Sequence, residues 1–454
     1  MKKNVVISVP SMWSVRNFIY AEFRERIEER FNVFYLVPEV ENLQKFFHPF
    51  GERVIFYPIQ KFSGLEDILY IALKYKSLSI TSLENNHAFF KSYLKPPNVL
   101  RAKLKDFAGL VVSKVLSIPK IEKLLLAFSA TQELSELKHK ILEVNPQFVL
   151  ATNHIVKYEI KIFSFLQQQE INTQLYVNSF DNLTSRGILP LCYFRHYYVW
   201  NDKMASELQE YYKIPQSLIS KVSTPQFDLL AQGAKESLDP MDDLFSLVEH
   251  GEFLLYSTGH FSLLPEEPKI VEKFIECLFA DEELRKFKIA IRPHPMERYD
   301  RWKYLSEKYP NVFIDYPWIQ DPQNPNWAVP SVYEFKRLGR ILQKARINFN
   351  IASTVTLDCC IVDRPIINLY FSVTTDDEKV VRDYYHLDHY KDITQSNCAP
   401  RVENETQLLS YTRLLLDLPN KYSEQRRQVR EQICNYSANQ SASDKLLNVL
   451  QNFG

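Results

Sequence analysis

Short apolar runs alternate with longer segments of helical spacing along the whole chain. In the first half the runs are VVISV (5–9), NVFYLV (32–37), RVIFYPI (53–59), PQFVLAT (146–152), QLYVNS (174–179), HYYVWN (196–201) and SKVST (220–224). Between them, SVRNFIYAEFRERIEERF (14–31) places Phe18, Ile19, Phe23 and Ile27 on one helical face. Further helices are predicted near 155–169 and 202–212. The second half repeats the pattern, with strands at EFLLYST (252–258), KIAIRP (288–293), NVFID (311–315), INFNI (347–351) and PIINLYF (365–371). Its helices fall near 266–280, 299–309, 331–345, 354–362 and 404–417, with a last helical stretch over 421–450. Buried-type strands separated by helices predict an α/β fold of two Rossmann-like, doubly wound parallel sheets.

Residues 62–145 break the alternation with a long, mostly helical insertion. Its most apolar portion is LKDFAGLVVSKVLSIPKIEKLLLAF (104–128). It is read as helix packing inside the first domain; the alternative is a basic amphipathic surface resting on anionic lipid. Pro119 and the interspersed charges exclude a membrane span. Residues 228–251 turn acidic and carry Gly233, Pro240 and Gly251, so they read as a linker with a lead-in helix. The expected organisation is an acceptor-side domain over 1–227, the linker, a nucleotide-binding domain over 252–420, and helices over 421–454 crossing back to the first domain.

With 454 residues the chain exceeds one ordinary core. Lysine plus arginine and aspartate plus glutamate each number 55, so no net field favours nucleic acid. The six cysteines lack zinc or redox spacing, and the opening MKKNVVISV is too short for a signal peptide, so a cytoplasmic place is expected. The nine glycines form neither GxGxxG nor a P-loop, and no Asp-x-Asp is present to hold a metal on a diphosphate.

In open parallel sheets the binding crevice lies beyond the carboxyl ends of the strands. Polar and cationic groups recur there: Arg16 and Asn17 after the first strand, His154 after PQFVLAT, and Asp181, Asn182 and Arg186 in NSFDNLTSRG (178–187). In the second half they are Thr258, Gly259 and His260, then Arg292 and His294 in IRPHP (291–295), then Ser353, Thr354, Thr356 and Asp358. Prolines on both sides aim Arg292 and His294 out of the sheet, where both suit phosphate oxygens. The opposing reading pairs Arg292 with an aspartate and makes His294 a helix cap. Ser353 or Thr354 can cap a helix whose N–H groups attract an anion, and Asp358 can accept from ribose hydroxyls. Together these groups suggest two half-sites facing a shared cleft. His386 and His389 are helix-spaced but lack metal-binding company.

NSFDNLTSRG, YVWND (198–202), IPQSLISKVSTPQFD (214–228), IRPHP and STVTLDCCIVDRPI (353–366) resemble, in order and spacing, bacterial glycosyltransferases with the GT-B fold. The group most resembled includes CDP-glycerol glycerophosphotransferases and capsule or lipopolysaccharide transferases. Asp358 stands where many relatives carry a glutamate, and Thr224 where a glycine is common. The resemblance implies a cleft between two Rossmann-like domains, the donor held by Arg292, His294, Ser353 and Thr354, and a glycan or lipid-linked acceptor on the other domain. It implies metal-independent direct displacement, with His154 or Asp181 as base, and peripheral contact with the inner membrane. Two rivals are a sugar-nucleotide 2-epimerase of the same fold and a non-catalytic glycan-assembly subunit.

Overall fold

The computed structural model describes residues 2–80, 99–130, 134–153, 155–185, 194–261, 264–295, 297, 299–316, 331–372, 375–437 and 439–452. It divides into two compact units, Met1–Pro225 with Gln440–Gly454, and Gln226–Asn439.

The first unit is built on seven parallel strands: β1 (Asn4–Ser8), β2 (Asn32–Pro38), β3 (Val54–Tyr57), β4 (Val149–Ala151), β5 (Thr173–Tyr176), β6 (His196–Val199) and β7 (Ile219–Lys221). Their order is β3-β2-β1-β4-β5-β6-β7. Val5 faces Val33, and Val6 faces Val149 on the other side, so β1 lies inside the sheet between β2 and β4. Every residue of β4, β5 and β6 is buried, as a sheet covered on both faces requires. Two of the polar residues among them are tied to neighbouring strands: Gln174 accepts from the Tyr198 hydroxyl at 2.6 Å, and His196 shares a hydrogen bond with Ser220 at 2.8 Å. The helices Gly64–Ile80, Ile118–Ala130 and Glu159–Gln168 meet at buried Glu66. It accepts from the Ser63 N–H and the Ser129 hydroxyl, each at 2.7 Å, and faces Lys161 at 3.3 Å. This ties the helical insertion to the layer covering the sheet.

The segment 14–31 is not one continuous helix. Met12–Val15 runs into a wider-wound turn, Arg16–Tyr20; Ala21 takes an extended conformation, and Phe23–Arg30 starts afresh. The chain end, Ala442–Gln451, packs on that last helix, with Asp444 paired to Arg26.

The second unit has six parallel strands: β8 (Phe253–Ser257), β9 (Lys288–Arg292), β10 (Val312–Ile314), β11 (Asn348–Asn350), β12 (Ile366–Leu369) and β13 (Arg401–Val402), in the order β10-β9-β8-β11-β12-β13. Asparagines 348, 350 and 368 lie buried in its centre and bond one another, Ser257 and Thr356. The short β13 and the helices Thr375–Tyr385 and Asp388–Gln395 go beyond the sequence reading. The stretch read as a linker with one lead-in helix carries two helical pieces, Gln226–Gly233 and the short Phe245–Glu249. The first of these crosses Val332–Lys344 at Gly233 and Gly339, where an added Cβ would stand 2.1 Å from Lys336 O and 2.2 Å from Leu230 O. The stretch 421–450 is two helices. Ser423–Gln432 belongs to the second unit, tied by fully buried Arg426 to Asp363 at 2.7 Å. The return to the first unit begins at Gln440.

Candidate functional site

Each sheet reverses its order of growth once, between β1 and β4 and between β8 and β11. The crevice at such a reversal is where parallel α/β sheets bind ligands.

In the second unit the β8 end carries Thr258, Gly259 and His260, and β11 leads to Ser353 and Thr354. Strand β9, on the other side of β8, leads to His294. The turns after β9 and β11 therefore stand about 10 Å apart, two strand spacings, across the end of β8. Thr258 fixes the β9 turn to the β8 end. Its N–H donates to Arg292 O at 3.0 Å, and its hydroxyl accepts from the His294 N–H at 2.9 Å. The His260 and His294 rings meet edge to face at 5.3 Å, and His260 stacks on Phe261 at 4.6 Å. Both histidines are half-buried. The pair can offer ring N–H donors to an anion at the β8 end.

Arg292 is not available to such an anion. Its guanidinium is buried between Asp315 and Glu334. Asp315 reaches on to Arg337, which also grips Asp242 at 2.6 Å and Asp243 at 3.2 Å. The expectation that Arg292 faces donor phosphates is corrected: desolvation of its charge is compensated by carboxylates inside the protein, and what it orients is the turn that carries His294. Burial would raise the Asp242 carboxyl, but Arg337 and the Leu244 N–H outweigh it and hold it at about 2. Burial raises Glu334 to about 7 in spite of Arg292.

The groups at the β11 end separate in the same way. Thr354 is exposed and Ser353 half-buried. Ser353 donates its N–H to Asn350 Oδ1 at 3.1 Å. Thr356 is wholly buried against the Tyr390 hydroxyl at 2.9 Å and Asn350 at 3.3 Å, so it braces the turn from below. The helix it belongs to, Val355–Ile361, is only seven residues long, and its Thr354 cap makes no side-chain hydrogen bond. Asp358 is half-buried, and its charge raises the thiols of Cys359 and Cys434, whose shifts come first from burial.

Two buried glutamates bonded to the turns that carry the histidines, Glu267 at Gly259 and Glu297 at His294, escaped the sequence reading. Glu267 is buried at the start of the helix Glu267–Ala280; it accepts from the Gly259 N–H at 2.9 Å and the Tyr256 hydroxyl at 3.3 Å. Burial pushes it up to about 8, and the charge of buried Glu297 adds to that. The only sequence signal was a glutamate directly before Pro268 at a helix start.

In the first unit, Asn153 at the β4 end donates to the Ser11 hydroxyl at 2.9 Å, joining the two strands at the reversal. Asn17 is wholly buried, donating to Asn178 at 2.9 Å and accepting from Arg16 Nε at 3.1 Å. Asn182 is buried and accepts from the Ser179 N–H at 3.1 Å. These two amides, expected at the binding crevice, hydrogen-bond within the scaffold. Arg16 lies over the Trp13 ring at 5.0 Å. Asp181 accepts from the Ser179 hydroxyl within its own turn. His154 and Arg186 lie outside the described residues. Among the described residues no group of three or more histidine, cysteine, aspartate or glutamate side chains could hold a metal.

No family model and no curated protein matches the sequence. Solved structures do match in fold. A UDP-GlcNAc 2-epimerase from Methanocaldococcus jannaschii aligns over 100% of both chains at 11% identity and a TM-score of 0.52. The UDP-GlcNAc 2-epimerase of Neisseria meningitidis, solved with UDP-GlcNAc bound, covers 99% of this chain and 100% of its own at 10% identity and 0.55. A glycosyltransferase from Rickettsia africae covers 100% and 98% at 12% and 0.51. The fold is thus the GT-B type, two Rossmann-like units each on a parallel sheet.

Proposed function

We propose that the protein is a glycosyltransferase. It moves a sugar, or a related group, from a nucleotide-activated donor to a hydroxyl of a cell-surface glycan or lipid-linked acceptor. The observation that carries the donor site is the His260–His294 contact at 5.3 Å, on neighbouring strand ends beside the β8/β11 reversal. Displacement at the anomeric carbon leaves a nucleoside diphosphate with growing negative charge. Histidine N–H donors and the Ser353 and Thr354 hydroxyls, set in place beforehand, stabilise that charge without a metal. Arg292 is a positioning residue in this scheme. The acceptor hydroxyl loses its proton to His154 or Asp181 of the first unit. The resemblance to CDP-glycerol and surface-polysaccharide transferases supports this acceptor class.

A second reading, a sugar-nucleotide 2-epimerase, draws support from the buried carboxylates Glu267 and Glu297 next to the same histidines. One experiment separates the readings. A panel of nucleotide sugars is incubated with the protein, with and without glycan and lipid-linked acceptors. Free nucleoside diphosphate released only when an acceptor is present supports transfer. A changed sugar without acceptor supports epimerisation. Neither reaction, with retained glycan binding, leaves an assembly subunit.

A further inference from the structure

The helix Leu100–Val115 has two opposed faces. One packs on the helix Gly64–Ile80: Gly109 is so close that a Cβ there would lie 2.4 Å from Ile71 Cγ2. Charges on this packed side are paired, Lys105 with Asp67 and Asp106 with the Tyr75 hydroxyl, each at 2.7 Å. The opposite face is apolar and exposed. Leu100 is 73% exposed, Leu104 62%, Phe107 65%, Val111 45% and Val115 75%. At about 100° per residue these five fall within an arc of about 80°, a single stripe. Arg101 falls on one side of that stripe, and Lys103 and Lys114 on the other. Lys120, Lys123 and the half-exposed Leu124 follow in the next helix, Ile118–Ala130.

The charge around the stripe has one sign. Between 99 and 130 the exposed charged residues are Arg101, Lys103, Lys114, Lys120 and Lys123. The acidic residues in that range are Asp106, which is bonded to Tyr75, and Glu122, which is buried. An apolar stripe edged by cations, on a helix already anchored by its other face, is the pattern of an interfacial membrane contact. No helix among the described residues is long and apolar enough to cross a bilayer, so the contact lies in the plane of the surface. A two-fold contact with a second copy would set this cationic rim against itself. A membrane carrying anionic lipid meets it with the opposite charge.

We propose that the 100–124 surface docks the protein on an anionic lipid bilayer, with Leu104 and Phe107 entering the acyl boundary and Arg101, Lys103 and Lys114 at the headgroups. This does not depend on which reaction the second unit performs. The test is co-sedimentation of the full chain with vesicles of phosphatidylcholine alone or with one third phosphatidylglycerol. Binding is expected only to the anionic vesicles and is weakened by high salt. The double substitution Leu104→Glu with Phe107→Glu lowers the bound fraction about ten-fold or more, through lost apolar burial and charge repulsion. Arg101→Glu with Lys103→Glu and Lys114→Glu abolishes the preference for anionic lipid. All these side chains are exposed, and an unchanged melting curve confirms that each variant is folded. The proposal is overturned if the wild-type chain stays in the supernatant with anionic vesicles, or if folded Leu104→Glu/Phe107→Glu sediments as before. It is also overturned if light scattering shows a dimer that the same substitutions dissociate while vesicles are ignored.

Discussion

Arg292 and Asp315 form an ion pair with both side chains shielded from water, and Asp315 turns its second oxygen to Arg337. Removing one member leaves a buried charge without its partner, which costs about 3–5 kcal/mol. Asp315→Ala is therefore expected to lower unfolding free energy by about that amount in urea titration. Nucleotide affinity of the fraction that stays folded should change far less. Strong loss of affinity with unchanged stability would mean that Arg292 turns to the ligand after all.

The histidines make the complementary prediction. His260→Ala and His294→Ala, half-buried and at a strand end, should leave melting nearly unchanged. Each should weaken nucleoside diphosphate binding about ten-fold, the value of one charge-assisted hydrogen bond. Calorimetry with UDP and CDP reads both the affinity and the base preference. If either folded variant binds both nucleotides as tightly as the parent, the donor site lies elsewhere.

The contrast between Arg292 and His294 shows how far the sequence could be read. Twelve of the strands announce themselves as short apolar runs between helical segments, because a parallel sheet covered on both faces leaves little room for polar residues. The two-residue β13 has no such run. That Arg292 lies at a strand end is legible too. Whether its charge goes to a ligand or to carboxylates 23 and 42 residues away is not, because Asp315 reaches it through the pairing of β9 with β10 and Glu334 through the packing of the helix Val332–Lys344. Glu267 was hidden for the same reason. Its neighbour Tyr256 is near in sequence, but the burial that raises it comes from the whole unit.

Gly233 and Gly339 mark a crossing where the two helix backbones touch, so Gly339→Ala must push the helices apart. Overpacking of this kind costs about 1–3 kcal/mol, and a backbone neighbour cannot rotate away as a side chain can. Gly64→Ala is the control: nothing lies within 4 Å of its added Cβ, and alanine suits a helix better. In denaturant titration Gly339→Ala should fall well below the parent while Gly64→Ala equals or exceeds it. Equal stabilities for the two variants would refute the close crossing.

Glu267 gives the fold a pH dependence whose sign can be worked out. Burial holds its folded pKa near 8 against an ordinary value of 4.5, and buried Glu159, bonded to the Ser8 and Tyr57 hydroxyls, is raised to about 8 as well. Between these limits the folded protein keeps protons that the unfolded chain has already released. Stability is then fullest below about pH 4.5 as far as these two groups are concerned, and it declines as pH rises toward 8, by up to about 1.4 kcal/mol per pH unit for each group. Above about pH 8 their contribution stops changing, since both states are ionised. Glu267→Gln keeps an acceptor for the Gly259 N–H but cannot ionise, so it should remove roughly half of this slope and leave the Glu159 share. Urea titrations of parent and variant at several pH values between about 5 and 9 measure the difference directly. Parallel curves for the two proteins would show that Glu267 is ionised in the folded state and that the buried acid beneath His260 and His294 does not exist.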